Sequence, residues 1–203
     1  MGFGLLFLGY VTLLFFKIVP VGVLGAYLMH RALSKLSPYG ENFVKAKNIS
    51  RVMFVYFALY TVLWVLNTFG FSGIFSSYVF VICDMLLYYG IFCTFNICLC
   101  KALSDISRQT GYEKGERKAK VCITASYVFA VGVIIRGFLY FFSASGYVAF
   151  TLAVYEFVLL VMTTAFIYCC YMMIATDEII DEENKKIREY DEKYSMLKRK
   201  KGK

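Results

Sequence analysis

Residues 121–175 read VCITASYVFAVGVIIRGFLYFFSASGYVAFTLAVYEFVLLVMTTAFIYCCYMMIA, an apolar stretch in which only Arg136 and Glu156 carry full charges. A helix that crosses the hydrocarbon core of a bilayer needs about 20 mostly apolar residues. The stretch is long enough for two such helices. Ser143-Ala144-Ser145-Gly146 divides it with small residues suited to a tight turn. The reading is therefore a hairpin of two spans, about 121–142 and 147–175.

Upstream, a second hairpin has the same form. Spans at about 52–70 and 76–100 flank the connector Phe71-Ser72-Gly73-Ile74-Phe75. The N-terminal stretch 3–29 is apolar apart from Lys17, with Pro20 three residues later. Two full spans would need about 40 residues, more than the stretch provides. One long span, kinked near Pro20, is the preferred reading. The alternative is a re-entrant hairpin with Lys17 at its tip. The expected fold is all-α: a polytopic integral membrane helical bundle of about five transmembrane helices within residues 1–175, followed by a charged helical tail over 176–203.

Composition agrees. The apolar set makes up 60% of the 203 residues, against about 45–50% in a typical soluble domain. Only 18% of residues are charged, and these are clustered. Such a chain is neither disordered nor a disulfide-stapled secreted module, and it lacks the polar surface of an ordinary cytosolic enzyme.

Lysine and arginine set the orientation. Of the 22 basic residues, 20 fall in the 30–51 loop, the 101–120 loop and the tail, and the two short connectors carry none. Cytoplasmic loops carry the excess of basic residues, which puts both loops and the C-terminus in the cytoplasm. With five spans the N-terminus would then lie outside. The net charge of +8 is thus a topology signal, and the partner it implies is the lipid bilayer with its anionic headgroups rather than nucleic acid. The start of the chain has no basic region ahead of its apolar run, so a cleaved leader is not expected. Asn48-Ile49-Ser50 matches a glycosylation sequon but falls in a basic loop. The general character, small and almost wholly embedded, is that of a multi-pass protein of a bacterial plasma membrane.

Four ionisable residues interrupt the spans: Lys17, Asp84, Arg136 and Glu156. At a rise of about 1.5 Å per residue, Asp84 and Glu156 lie about 12–14 Å from the outer surface and Arg136 about 9 Å. An isolated charge at the centre of a membrane helix costs about 2.5–3.5 kcal/mol on insertion scales. Such residues therefore pair within the bundle or line a wet cavity. Asn67 and Thr163 are candidate supporting hydrogen-bonding residues, and Gly132 and Gly137, flanking Arg136, leave room for a neighbouring helix. Two cations and two anions cancel, which favours an intramembrane ion-pair network that organises the bundle. Arg136 would pair with Asp84 or Glu156, and Lys17 with the other. The rival reading is a small transporter with a cation- or proton-coupling site at Asp84 and Glu156.

No nucleotide-binding loop, zinc-protease motif, nucleophile elbow or Cys/His pair is present in the sequence. No catalytic activity and no cofactor are expected. The seven cysteines all fall within spans and the only histidine is His30. They read as small apolar packing residues rather than metal ligands. A shift of 72 residues superposes Asp84 on Glu156 and Cys98 on Cys170, a sparse sign of a repeat between the two hairpins. In the tail, Asp181 with Lys185, Glu182 with Lys186 and Glu189 with Lys193 are acid-before-base pairs at helical spacing. Ile180, Ile187, Tyr190, Tyr194 and Leu197 form a narrow apolar stripe suited to a partner helix or a second copy. The expected function is that of a non-enzymatic accessory or regulatory membrane protein.

Overall fold

The computed structural model describes residues 2–13, 19–69, 78–140 and 147–173. These form six α-helices: α1 (Phe3–Leu13), α2 (Val19–Leu36), α3 (Glu41–Thr68), α4 (Tyr78–Gln109), α5 (Glu113–Tyr140) and α6 (Tyr147–Met173). A single 3-10 turn, Ser37–Tyr39, links α2 to α3. No strand occurs among the described residues. Helices α3 to α6 are long and apolar enough to cross a bilayer. In hydrocarbon, every backbone N–H and C=O must be satisfied within the chain, and a helix does this within one segment.

Helices α3 to α6 run up and down, so their basic ends share one end of the bundle. Asn42, at the start of α3, donates to Asp105 near the end of α4 at 2.7 Å. Lys118, near the start of α5, reaches Cys169 near the end of α6 at 3.3 Å. The basic connectors are short because the helices extend into them. Leu36 ends α2, and Ser37-Pro38-Tyr39-Gly40 makes the turn expected from its residues. Between α4 and α5 the turn is tighter still. Gly111 takes φ +69°, a conformation costly for residues with a Cβ. The Tyr112 N–H bonds the Ser107 carbonyl at 2.7 Å, and the Gly111 N–H bonds that of Arg108 at 3.3 Å. These bonds satisfy carbonyls left open by the end of α4.

The N-terminal stretch departs from the single span expected over 3–29. Helix α1 has 11 residues, about 16 Å at the helical rise and half the hydrocarbon thickness. It lies antiparallel against α2. A Cβ on Gly9 would stand 2.8 Å from Met29 Cγ, a Cβ on Gly25 would strike Thr12 Oγ1, and a Cβ on Gly2 would meet Leu36. Bare backbone at Gly9 and Gly25 lets the two helices touch. The start of the chain therefore sits beside the basic turn, where Phe3 packs edge-on against Phe43 with centroids 6.3 Å apart. This corrects the expected placement of the N-terminus at the opposite end from the basic loops. A helix too short to cross has to return to the side it entered from. Lys17 lies outside the described residues.

The core is one apolar cluster into which α1 inserts Leu6, Tyr10 and Leu13, all buried. Helix α6 buries Leu152, Glu156, Leu159, Thr163, Phe166 and Cys170. These positions recur every three or four residues, which is the inward stripe of a helix. On α5 the corresponding stripe is Ala119, Cys122, Ser126, Phe129 and Val133, and the same spacing carries it on to Arg136.

Two outcomes follow from this packing. Gly9→Val and Gly25→Val should each destabilise the protein by about 1–3 kcal/mol through overpacking. Gly90→Ala, where a Cβ meets nothing within 4 Å, should be neutral or slightly stabilising; denaturant unfolding in detergent micelles checks all three. Epitope tags at the N-terminus and at Gly111 should be digested together by protease applied to one face of sealed vesicles. Protection of one tag alone would refute the hairpin of α1 and α2.

Candidate functional site

The polar centre of the bundle is Glu156, whose residue surface is 4% exposed. Two adjacent α4 residues meet its carboxylate. The Tyr88 hydroxyl donates to Oε1 at 2.9 Å and the Tyr89 hydroxyl to Oε2 at 3.4 Å. Consecutive residues on a helix diverge by about 100°, yet both hydroxyls reach one group, with ring centroids 4.9 Å apart in an edge-to-face pair. Neighbouring rings hold them in place. Tyr88 stacks on Phe92 and contacts Phe57 of α3. Tyr89 packs edge-on against Phe129 of α5, which stacks on Tyr155 of α6. The Tyr155 hydroxyl donates back to the Ala125 carbonyl at 3.1 Å. Aromatic pairs of this kind add about 0.5–1.5 kcal/mol each beyond area burial.

Asp84 lies one helical turn before Tyr88 on α4 and accepts a hydrogen bond from the Tyr56 hydroxyl of α3 at 2.7 Å. The Tyr56 and Tyr88 rings are 6.0 Å apart. The two acids therefore flank a pair of tyrosines, each carboxylate bonded to a different hydroxyl. No hydrogen bond joins the two carboxylates among the described residues. The proposed correspondence of Asp84 with Glu156 across the two hairpins is not matched by their partners. Among the described residues, Asp84 is bonded by a tyrosine of the preceding helix α3, whereas the tyrosines bonded to Glu156 come from α4.

Arg136 comes to the same layer, beside Tyr89. The ion pairs among the described residues are Lys45–Glu41 and Lys120–Glu116, both at the surface. The guanidinium of Arg136 lies beside the Tyr89 hydroxyl, and its buried Nε has no hydrogen-bond partner among the described residues. Among the described residues no ion pair joins Arg136 to Asp84 or Glu156, and the Tyr89 hydroxyl lies next to both Arg136 and Glu156. Of the glycines beside Arg136, Gly132 acts as anticipated and admits Leu152 of α6, whose Cδ2 would stand 2.8 Å from a Cβ, whereas a Cβ at Gly137 would make ordinary contact with Met85 of α4. Any pairing of Lys17 lies outside the described residues. No hydrogen bond joins Asn67 to either acid among the described residues.

A second polar layer lies nearer the basic end. The Tyr10 hydroxyl donates to Asn96 Oδ1 at 2.6 Å, Asn96 Nδ2 donates to Ser126 Oγ at 2.7 Å, and Ser126 Oγ donates to the Cys122 carbonyl at 2.8 Å. The chain ties α1 to α4 and α5. Thr163 of α6 is buried at this level, with Oγ1 lacking a hydrogen-bond partner among the described residues. No hydrogen bond joins it to Glu156 among the described residues. Sequence reasoning missed Tyr56, Tyr88, Tyr89, Tyr10 and Asn96. The available signal was position. Tyr88 is one turn from Asp84 on the same face, and Asn96 is an amide in the middle of an apolar span.

Hydrogen bonds to charged groups, and hydrogen bonds within membranes, support an estimate of about 1–2 kcal/mol for the Tyr88–Glu156 bond. Tyr88→Phe should lower unfolding free energy in micelles by that amount. Tyr89→Phe, which removes a bond of 3.4 Å, should cost less. Equal losses would show that the two hydroxyls are equivalent partners.

Compared with known proteins, the chain matches no family model, no curated protein sequence and no solved structure.

Proposed function

We propose that this chain is a non-enzymatic accessory or regulatory protein of the membrane, in which intramembrane polar residues organise the bundle. The observation that carries this reading is Glu156. It is almost fully buried, and both of its carboxylate oxygens are met by tyrosine hydroxyls. A dry, hydrogen-bonded carboxylate joins helices and selects one packing arrangement. A coupling site for an ion requires access from water. Arg136, on the inward stripe of α5 beside Tyr89, offsets the negative charge across the hydroxyl. Outside the membrane, the tail over 176–203 supplies the surface for a protein partner or a second copy. Its acid-before-base pairs and narrow apolar stripe support that role. The concentration of basic residues at one end supports a cytoplasmic placement for that end and for the tail.

One observation favours the transporter reading. Half-length helices that end inside a bundle often mark binding sites in transporters. Near the start of α2, Gly22 packs on the Phe57 ring, and Phe57 in turn touches Tyr88. The helix therefore begins one ring away from the tyrosine that holds Glu156.

The two readings separate on one pair of variants. If Glu156 organises the fold, Glu156→Ala should lose about 2–5 kcal/mol, since it opens a cavity and strands two buried hydroxyls. Glu156→Gln, which keeps an acceptor for Tyr88, should lose less. Unfolding in micelles measures both. Wild-type stability in both variants would end the organising reading and favour the coupling site, which proton flux into liposomes then tests directly.

A further inference from the structure

The crevice between α5 and α6 is not used by the polar layers. At its basic end it holds a cavity of about 340 Å³, with Arg117 and Lys118 at the mouth and Val121, Met162, Ala165 and Phe166 along the floor. A second depression of about 400 Å³ is lined by Lys120, Val121, Thr124, Ala125, Val128 and Tyr155. The two share the lining residue Val121, and both lie in the channel between α5 and α6. From residue 118 to residue 128 its length is about 15 Å at the helical rise, the depth of one leaflet of a hydrocarbon core about 30 Å thick.

Charge and shape agree along this channel. Lys118 leans across the mouth, its Nζ 3.3 Å from Cys169 Sγ on α6, so its ammonium lies over the crevice. Arg117 is exposed beside it. The nearest acid on that turn, Glu116, is already paired with Lys120 at 2.8 Å. Below the mouth the lining is apolar apart from Thr124 and the paired Lys120, and at the far end the Tyr155–Ala125 hydrogen bond ties the two helices together. Two cations over an apolar trough one leaflet deep match the chemistry of a phosphate carried on an acyl chain. Basic pockets between membrane helices on the cytoplasmic side are suited to anionic headgroups.

We infer that the α5–α6 crevice is a binding site for an anionic phospholipid, with the phosphate between Arg117 and Lys118 and one acyl chain along Val121 to Val128. The inference rests on the membrane-spanning reading of α5 and α6. It requires neither the organising role of Glu156 nor the rival coupling role.

The test uses the purified full-length chain in neutral detergent. Thermal stability and lipid retention in native mass spectrometry are followed with phosphatidylglycerol and with phosphatidylcholine of identical acyl chains. Phosphatidylglycerol should be retained and should raise the melting temperature, and phosphatidylcholine should do neither. Arg117→Gln with Lys118→Gln should weaken phosphatidylglycerol binding about thirtyfold, since both basic side chains near the anionic headgroup are lost. Lys45→Gln with Lys47→Gln, at the other basic turn, should leave binding unchanged. Ala165→Trp fills the floor and should abolish retention with the mouth charges intact. Wild-type binding in the Arg117/Lys118 variant overturns the site, as does an equal loss in the Lys45/Lys47 variant or equal binding of phosphatidylcholine. Stabilisation by glycerol phosphate as strong as by phosphatidylglycerol would make the mouth a soluble-anion site and overturn the lipid. Failure of the wild type to enter vesicles of any composition is a separate result, one that removes the membrane reading itself.

Discussion

A carboxylate inside a bilayer has no water to solvate it, and this constraint orders the middle of the protein. Glu156 is stabilised by the hydroxyls of Tyr88 and Tyr89, so α4 and α6 must meet at one depth and one rotation. The rings that carry those hydroxyls are held by Phe57, Phe92 and Phe129, which brings α3 and α5 to the same level. The contacts around this one acid thereby reach all four long helices. Apolar packing alone would fix them less firmly, because lipid tails are as apolar as leucine and helix association lacks a hydrophobic driving force in the membrane.

Tyrosine suits this position for a physical reason. Its ring packs like any other apolar group in the core, while its hydroxyl supplies a donor where a carboxylate needs one. A lysine or arginine in direct contact would neutralise the charge but would need its own remaining donors satisfied. Here Arg136 stands one hydroxyl away. The same economy appears in the second layer, where Tyr10 reaches Asn96 and the amide passes the chain on to Ser126. Each layer joins a helix of one hairpin to a helix of another, so together they set register as well as proximity.

The short helix α1 shows how far local pattern carries a reading. The apolar run over 3–29 satisfies a hydropathy test for one span, and Lys17 with Pro20 are the residues within it that argue for a break. What decides the path is contact between Gly9 and Gly25, 16 positions apart in the chain. Two glycines at that separation carry no signal until the helices that bear them are brought together. The turns at Ser37–Tyr39 and at Gly111 were legible from their residues, because Pro and Gly act on their own backbone within a few positions. The partners of Asp84 and Glu156 were not. Opposite charge singled out Arg136 and Lys17, whereas the groups bonded to the acids in the described structure include tyrosines 28 and 68 positions away.

The sequence by itself determined the all-helical membrane architecture, the position of α3 to α6 and the gathering of basic residues at one end. These follow from per-residue quantities, hydropathy and charge, that add along a segment with no knowledge of its neighbours. Only the tertiary structure decided that α1 turns back against α2, that Glu156 is held by Tyr88 and Tyr89, and that a leaflet-deep crevice opens between α5 and α6 under Arg117 and Lys118. Those features depend on which face of one helix meets which face of another. That choice is set by close packing and by the satisfaction of buried polar atoms over distances in sequence that no local pattern spans.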